Sequence, residues 1–215
     1  MALFTLLKPF IDFLLPESEV EVRLRAITAE EVARKLVAKK TDEEISFFDY
    51  RDPLIREMLL SLKFRRNVRM AEVFADALYD HLLEELGDLM SFSAFDKPLL
   101  VPIPLSPARL RERGYNQTEL IARALCERAG SGVFEFAPQA LERIKNTPPQ
   151  TSLPDKKARE ENIRGAFAVP DAARIAGRNI ILLDDIMTTG STLREAASTL
   201  RAAGAKQIFC IAIAH

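Results

Sequence analysis

The segment that decides the fold reads Asn179-Ile180-Ile181-Leu182-Leu183-Asp184-Asp185-Ile186-Met187-Thr188-Thr189-Gly190-Ser191-Thr192. It begins as an apolar run of strand length, Asn179–Leu183, passes two adjacent carboxylates, and turns through hydroxyl-bearing residues. The amphipathic run Ser191–Ala203 follows, and it predicts a helix that Gly204 ends. A buried strand that leads through a loop into a helix is the unit from which parallel α/β sheets are built.

The loop of this segment has the composition of an anion-binding site. Backbone N–H groups at the start of a helix attract phosphate, and Gly190 lets the main chain approach the ligand without a side-chain clash. Further donors are the hydroxyls of Thr188, Thr189, Ser191 and Thr192. Two other phosphate motifs fit worse, because no lysine follows the glycine and there is no GxGxxG.

The two carboxylates restrict which kind of ligand this segment can bind. Asp184 and Asp185 would repel a phosphate beside them, so the ligand must present hydroxyl groups or a metal at this point. A ribose 5-phosphate satisfies both halves of the segment, since its 2- and 3-hydroxyls can donate to the aspartates while its 5-phosphate lies in the loop. The alternative interpretation is that the aspartates only cap the next helix.

The pattern around this segment predicts an α/β fold with a mostly parallel central sheet flanked by helices. From Lys97 onward, short apolar runs alternate with amphipathic helices. The predicted strands are Leu99–Pro104, Ala166–Val169 and Gln207–Ala214, and the helix after the first of them is Gln117–Arg128.

The chain before residue 97 has a helical pattern. A capping box, Thr28 with Glu31, predicts a helix through about Lys39. Asp52-Pro53 predicts the start of another helix, and a third helix is expected from about Met70 to Leu86, with Gly87 at its end. We therefore predict a helical N-terminal extension over residues 1–45 and the main domain over residues 46–215.

A second anionic site is predicted after the strand Leu99–Pro104. Arg109, Arg111 and Arg113 lie close together before the helix at Gln117. Guanidinium groups beside a helix N-terminus can hold a pyrophosphate, because arginine offers several rigid donors to phosphate oxygens. A solvated charged turn is the alternative.

The stretch from Lys145 to Glu161 has no periodicity and predicts a mobile loop. The polar side chains of this stretch include Lys145, Gln150 and Arg159, and Asn162 follows it directly. Closure of such a loop over a site would exclude water from a reactive sugar cation.

Composition restricts the class of protein and its location. Lys and Arg total 30 against 31 Asp and Glu, so the chain does not coat nucleic acid by bulk charge. The two cysteines, Cys126 and Cys210, are typical of core residues in a reducing compartment. The apolar start Leu3–Leu15 is too short to span a bilayer and is interrupted by polar residues. We expect a cytoplasmic protein without a transmembrane segment.

Segment 182–192 resembles the signature that binds 5-phosphoribosyl-1-pyrophosphate (PRPP) in type I phosphoribosyltransferases. Together with Pro102–Pro104, the run from Arg109 to Gln117, the loop residues Gln150, Arg159 and Asn162, and Gly165-Ala166-Phe167, it resembles the ComF family. Upstream, Tyr50-Arg51-Asp52-Pro53-Leu54 followed by Leu62-Lys63-Phe64 also resembles the entry helix of that family, so the similarity covers about Phe47 to the C-terminus. The resemblance implies the type I phosphoribosyltransferase fold. Thr188 stands where enzymes of hypoxanthine and guanine salvage carry an acid, which disfavours that group.

The resemblance also implies a function. ComF proteins are associated with competence and the uptake or use of DNA. The resemblance also implies Mg²⁺-dependent transfer of a phosphoribosyl group to a nitrogen acceptor, which the motifs do not identify. The catalytic residues would be Asp184, Asp185 and Arg113, and the two aspartates would hold Mg²⁺ largely through water and ligand. The alternative is a non-catalytic PRPP or nucleotide sensor, or a partner-binding module of the DNA-uptake machinery. Competence or DNA-processing proteins and a homodimer are the partners that the resemblance implies.

The chain departs from the family at its front. ComF proteins usually begin with a four-cysteine zinc ribbon, but the corresponding stretch Pro16–Lys40 contains neither cysteine nor histidine. The thiolate and imidazole ligands of a structural zinc site are therefore missing there.

We predict that the purified chain contains no stoichiometric zinc. The two cysteines are distant in sequence, and the two histidines, His81 and His215, are isolated. To check this, metal-free protein is incubated with zinc, and the zinc that it retains is measured by elemental analysis. Retention of about one zinc per chain would contradict the prediction.

Overall fold

A central sheet between two helical layers makes up the computed structural model, which describes residues 19–41, 43–92, 97–146 and 161–215. The helices are α1 (Glu19–Ala26), α2 (Ala29–Ala33), α3 (Pro53–Arg65), α4 (Val68–Phe92), α5 (Pro107–Arg113), α6 (Gln117–Ala129) and α7 (Ser191–Ala202). The strands are β1 (Lys39–Lys40), β2 (Glu44–Phe48), β3 (Leu99–Pro102), β4 (Glu135–Phe136), β5 (Glu142–Arg143), β6 (Phe167–Ala168), β7 (Asn179–Ile186) and β8 (Gln207–Ala214).

The main sheet has the order β1-β2-β8-β7-β3-β4. Only β1 runs antiparallel to its neighbour, and the other pairings are parallel. Strands β5 and β6 form a separate antiparallel ribbon. The mostly parallel α/β sheet that the sequence predicts is confirmed.

Strand β7 separates two apolar cores. Ile181 and Leu183 belong to the core that also contains residues of α3, α4 and α6, whereas Ile180 and Leu182 belong to the core under α7. A strand covered on both faces is apolar at every position instead of alternating, which explains the unbroken apolar run at the start of the deciding segment.

Local signals place the helix starts correctly but not all of the ends. The capping box of Thr28 and Glu31 is present, and the carboxylate of Asp52 accepts from the N–H groups at the start of α3. Helix α2 ends at Ala33, well before Lys39, and α4 continues through Gly87. A glycine inside a helix costs only about 1 kcal/mol. Burial of apolar residues of α4 in the preceding turns outweighs that cost.

The described part of the N-terminal extension packs on the main domain. Leu24, Ile27 and Val32 lie in the same core as α3 and α4. The guanidinium of Arg69 donates to the carbonyl oxygens of Leu24 and Ile27, both at 2.7 Å. Strand β2, which the sequence pattern did not predict, crosses the proposed boundary between residues 45 and 46 and joins the sheet. The apolar segment Leu3–Leu15 lies outside the described residues.

In the part of the chain that the structure describes, no helix combines the length and apolar character needed to cross a membrane.

The connections after β3 and β7 leave the sheet in opposite directions. Strand β3 leads into α5 and α6, and α6 packs on the first core, while β7 leads into α7 on the second core. Neighbouring parallel strands whose connections diverge in this way open a crevice at their carboxyl ends, where α/β proteins bind ligands. The two motifs that the sequence marks as anion sites follow these two strands.

Candidate functional site

A cavity of about 540 Å³ lies in the crevice between the ends of β3 and β7. Residues that follow β3 and β7 line it together with residues from α3 and β5. They are Tyr50, Leu60, Lys63, Phe64, Ile103, Pro104, Leu105, Arg109, Glu112, Arg113, Gln117, Thr118, Arg143, Asp184, Asp185, Ile186, Thr188 and Thr192. Its volume is within the range of about 300–1,000 Å³ that is common for small-molecule sites.

Asp184 and Asp185 lie next to each other at the carboxyl end of β7, which continues to Ile186, and both line the cavity. Asp185 faces α3 and α6, where its Oδ2 accepts from Nε2 of Gln117 at 2.8 Å and lies 3.5 Å from Nζ of Lys63. Oδ1 of Asp184 accepts from the backbone N–H of Asp185 at 2.8 Å. These contacts leave both aspartates in the cavity wall.

Electrostatics at this pair disfavours two negative charges. Burial, with the neighbouring Asp185 carboxylate as the second cause, raises the pKa of Asp184 to about 8. A divalent cation or hydroxyl donors beside Asp184 would offset this penalty. No group of three or more metal-binding side chains occurs among the described residues, so a cation here would need further ligand oxygens from a substrate or water.

A buried amide links the aspartates to the arginines. Gln117 is only 4% exposed, and its Oε1 accepts from Nη1 of Arg113 at 2.5 Å while its Nε2 donates to Asp185. Asn116 fixes the start of α6, because its side chain caps the helix and donates to the carbonyl of Ile103 at 3.0 Å. The polar chain Arg113–Gln117–Asp185–Lys63 therefore connects the two sides of the cavity.

A tyrosine ties the end of α3 to the loop between α5 and α6. The hydroxyl of Tyr115 donates to the carbonyl of Leu62 at 2.8 Å and accepts from the N–H of Arg66 at 2.9 Å. Arg66 adopts a left-handed conformation, with φ 51°, which ends the helix. This contact holds Lys63 and Phe64 against the cavity.

Two of the three predicted pyrophosphate ligands reach the cavity. The arginines lie on helix α5 and not on a turn, so Arg109 and Arg113, four residues apart, share a face. Arg111 lies on another face, is exposed, and does not line the cavity. Helical geometry separates positions two apart, so Arg109 and Arg113 line the cavity and Arg111 does not.

A third arginine, Arg143 of β5, lines the cavity beside this pair. Burial lowers the pKa of Arg143, and its neighbour Arg109 acts in the same direction, whereas Asp184 opposes the shift. The same cause, burial, lowers the pKa of Arg113, and Asp185 opposes it. Cations held close together in this way favour a multiply charged anion between them.

The loop after β7 has the geometry expected of the start of a helix that can accept an anion. Gly190 is the N-cap residue of α7 with φ 71°, so no side chain caps the first turn. A Cβ atom at this position would lie 2.6 Å from Nη1 of Arg194. The hydroxyls of Thr189 and Ser191 are 2.7 Å apart, and Thr188 and Thr192 line the cavity.

Comparison with known proteins agrees with this arrangement. The family model of the phosphoribosyl transferase domain matches residues 118–215. The DNA utilization protein YhgH of Salmonella typhi is 31% identical over 172 residues, which cover 78% of this chain and 70% of that protein. The competence protein ComFC of Bacillus subtilis is 32% identical over 157 residues, or 72% of this chain and 56% of the relative. The chain belongs to the ComF family.

Among solved structures, the glutamine PRPP amidotransferase of B. subtilis matches 57% of this chain and 24% of its own, with 20% identity and a TM-score of 0.35. The type I phosphoribosyltransferase fold that the signature implied is confirmed by the domain match and the sheet topology.

Two of the four loop residues that the sequence singled out in this ComF-family chain, Lys145 and Asn162, lie in the described part of the chain. Lys145 is exposed, and its Nζ donates to the carbonyl of Arg164 at 2.8 Å. Neither Lys145 nor Asn162 lines the cavity. Gln150 and Arg159 lie outside the described residues.

Sequence reasoning missed the contribution of α3. Lys63 and Phe64 lie at the end of a helix whose apolar spacing gives no sign of what its polar side faces. Their position beside Leu62 in a ComF-like segment was the only available signal, and it carried no role. Gln117 was recognised as a helix start but not as the link between Arg113 and Asp185.

We predict that Gln117→Leu lowers the free energy of unfolding by about 1–3 kcal/mol, because it removes a partner from two charged groups that are partly or fully buried. Urea denaturation measures this. Glu119→Gln on the same helix is the control and should change stability by no more than about 0.5 kcal/mol, since it affects only a surface pair with Arg123. Equal stability of the Gln117→Leu and control proteins would show that the link contributes nothing.

Proposed function

We propose that this ComF-family chain binds PRPP and transfers its phosphoribosyl group, in a Mg²⁺-dependent reaction, to a nitrogen acceptor. The observation that carries the proposal is the meeting of three features at one cavity. The carboxylate pair of β7, the arginine pair of α5, and Thr188 and Thr192 at the start of α7 all line it. PRPP is a ligand with a hydroxyl-bearing ring between two anionic ends, and each feature suits one of these parts.

The binding assignment follows the order of the features along the crevice. The 5-phosphate takes the N–H groups and hydroxyls at residues 188–192, which lie at the positive end of the α7 dipole. Asp184 and Asp185 accept from the ribose hydroxyls. Arg109 and Arg113, with Arg143 beside them, hold the pyrophosphate through charge-assisted hydrogen bonds.

The two aspartates also suit Mg²⁺, a hard cation that takes few carboxylates and keeps oxygen ligands from water and phosphate. The raised pKa of Asp184 marks a position where a positive charge would be favourable. When bound, Mg²⁺ would neutralise charge on the pyrophosphate and on the ribose-binding carboxylates.

Catalysis in this proposal is electrostatic. As the bond between C1 and the pyrophosphate oxygen breaks, negative charge grows on the leaving group and Arg109 and Arg113 stabilise it. Gln117 keeps the guanidinium of Arg113 in place, because its own orientation is fixed by Asp185. The protein then needs no group that changes its position as charge develops.

The names of the relatives suggest the biological setting. Proteins called a DNA utilization protein and a competence protein match most of this chain, so we extend the proposal to a role in competence or the use of external DNA. A homodimer and contacts with DNA-processing proteins belong to this part of the proposal.

Arg113→Ala should weaken PRPP binding by roughly ten- to hundredfold, because one charge-assisted bond contributes about 1.5–3 kcal/mol. Ribose 5-phosphate has no pyrophosphate and should lose far less. Calorimetric titration with both ligands measures the difference, and Arg111→Ala is the matched control, since its guanidinium lies off the cavity and its loss should change neither affinity. Equal losses for PRPP and ribose 5-phosphate, or an equal effect of the two variants, would refute the pyrophosphate assignment. Pyrophosphate release with a panel of acceptors then separates an enzyme from a sensor that only binds.

The double variant Asp184→Asn, Asp185→Asn should bind PRPP without dependence on Mg²⁺. Asparagine keeps hydrogen-bonding capacity but removes the charge that favours the cation. Sulfate, which has no hydroxyls, should bind the loop at residues 188–192 as well as before or better. Titrations of PRPP with and without Mg²⁺ measure this, and unchanged Mg²⁺-dependent affinity would refute the assignment of the two aspartates to the cation.

A further inference from the structure

A guanidinium group lies beside the backbone of the loop that the proposal assigns to the 5-phosphate. Arg194, near the start of α7, donates from Nη2 to the carbonyl oxygen of Thr189. Its Nη1 lies 2.6 Å from the point that a Cβ atom of Gly190 would occupy, and Oε2 of Glu44 lies 3.6 Å from the same point. The absence of a side chain at Gly190 therefore leaves the space through which this guanidinium reaches the loop.

Arg194 contacts the loop from outside the cavity. It is exposed and does not line the cavity, whereas Thr188 and Thr192 do. Thr192 and Arg194 are two positions apart in α7, so their side chains leave the helix in different directions. Arg194 is thus not placed as a ligand of the anion, and any effect that it has on binding must pass through the backbone of the loop.

The contact sets the direction of one peptide group. A trans peptide is planar, and its C=O and N–H point in opposite directions. The carbonyl of Thr189 and the N–H of Gly190 belong to the same peptide. Because Arg194 holds this carbonyl on its own side, the N–H points to the other side, where Thr188 and Thr192 line the cavity.

Gly190 alone would not fix this peptide. Its φ of 71° is a conformation that glycine adopts easily, but glycine adopts negative φ values about as readily. Rotation of the peptide between Thr189 and Gly190 would present a carbonyl oxygen to the phosphate in place of an N–H donor. An oxygen there would repel the anion, so a loop that contains this glycine needs a second group to hold the peptide in one orientation.

We infer that Arg194 is a positioning residue for the phosphate loop, and that it holds the peptide between Thr189 and Gly190 with the N–H toward the anion before a ligand binds. This inference rests on the proposed binding of PRPP. Arg194 touches neither the ligand nor the reacting atoms. It therefore affects every ligand that carries a 5-phosphate to the same extent, whatever the ligand has at C1.

Arg194→Met tests this role, because methionine keeps much of the side-chain length and removes the donors. Calorimetric titration of the full chain should show affinity for ribose 5-phosphate lowered by roughly three- to thirtyfold, the range expected when one oriented hydrogen-bond donor is lost. PRPP carries the same 5-phosphate and should lose affinity by the same factor. Arg194→Lys keeps a donor on a long stem and should retain most of the affinity.

The amide signal of Gly190 shows whether the loss arises at this peptide. The chain has eight glycines, so protein labelled with ¹⁵N-glycine gives a small set of NMR signals, and Gly190→Ala removes the one to be assigned. Saturating ribose 5-phosphate should move the Gly190 proton signal of the wild type downfield, because the N–H then donates to an anion. In Arg194→Met the movement at saturation should be clearly smaller, which a loss of stability alone would not produce.

Arg201→Met is the matched control. Arg201 lies on the same helix, is exposed, pairs with Glu43 at 3.1 Å and does not line the cavity. This variant should change neither the affinities nor the Gly190 signal. The role of Arg194 is overturned if Arg194→Met binds ribose 5-phosphate as the wild type does, if Arg201→Met shows an equal loss, or if the Gly190 signal moves equally in Arg194→Met and the wild type.

The proposed function and the role of Arg194 fail in different ways. Wild-type protein that binds neither PRPP nor ribose 5-phosphate refutes the proposed function, and the role of Arg194 with it. If the wild type binds both ligands and Arg194→Met weakens only PRPP, the role of Arg194 alone is overturned, because the effect would then lie at the pyrophosphate end. That pattern is the one expected of Arg113→Ala.

Discussion

Strand β7 is held between β8 and β3, and this pairing fixes the site. The register places Asp184 and Asp185 at the carboxyl end of the strand, beyond the last apolar pair that β7 shares with β3. Both carboxylates line the crevice, and Asp185 also contacts an amide of α6 and an ammonium of α3. The two helical layers then each contribute their own polar groups to the same crevice.

The polar groups of the site restrain one another across the layers. Asp185 is held by an amide from α6 and an ammonium from α3, and the amide in turn holds Arg113 of α5. Buried polar groups that lose a partner carry a desolvation cost, so these four side chains form a set whose members depend on each other. A network of this kind keeps charged residues near their functional positions before a ligand arrives, which reduces the cost of reorganisation on binding.

Local chemistry explains what the sequence could predict. The end of β7, the glycine that starts α7 and the cap of α3 depend on residues next to each other, so Asp184, Gly190 and Asp52 could be identified from their neighbours alone. Arg109 and Arg113, which line the cavity, were singled out because they lie near a strand end. Arg111 was included for the same reason, since the spacing of α5 was not recognised as helical and only the helix separates Arg111 from the other two.

Long-range contacts explain what the sequence could not predict. Lys63 and Asp185 are distant in the chain, and their approach depends on where α3 lies relative to the end of β7, which no local pattern records. Strand β2 could not be predicted for the same reason, because its place in the sheet depends on pairing with β8 at the other end of the chain. The extent of α4 depended on tertiary burial, which outweighed the helix-ending tendency of Gly87.

The hydroxyl of Tyr115, which bridges Leu62 and Arg66, has a consequence for how this family can vary. It fixes the position of the last turn of α3 relative to the β3 connection, while the N-cap at Asp52 fixes the first turn. Removal or insertion of one residue between these anchors would rotate Lys63 and Phe64 by about 100° around the helix axis and turn them away from the cavity. Side chains on the outer face of α3 are free to drift in evolution, but the number of residues between Asp52 and Arg66 should be kept. The length of the segment between the equivalents of Asp52 and Arg66, more than its sequence identity, would then show which relatives keep the end of α3 at the cavity.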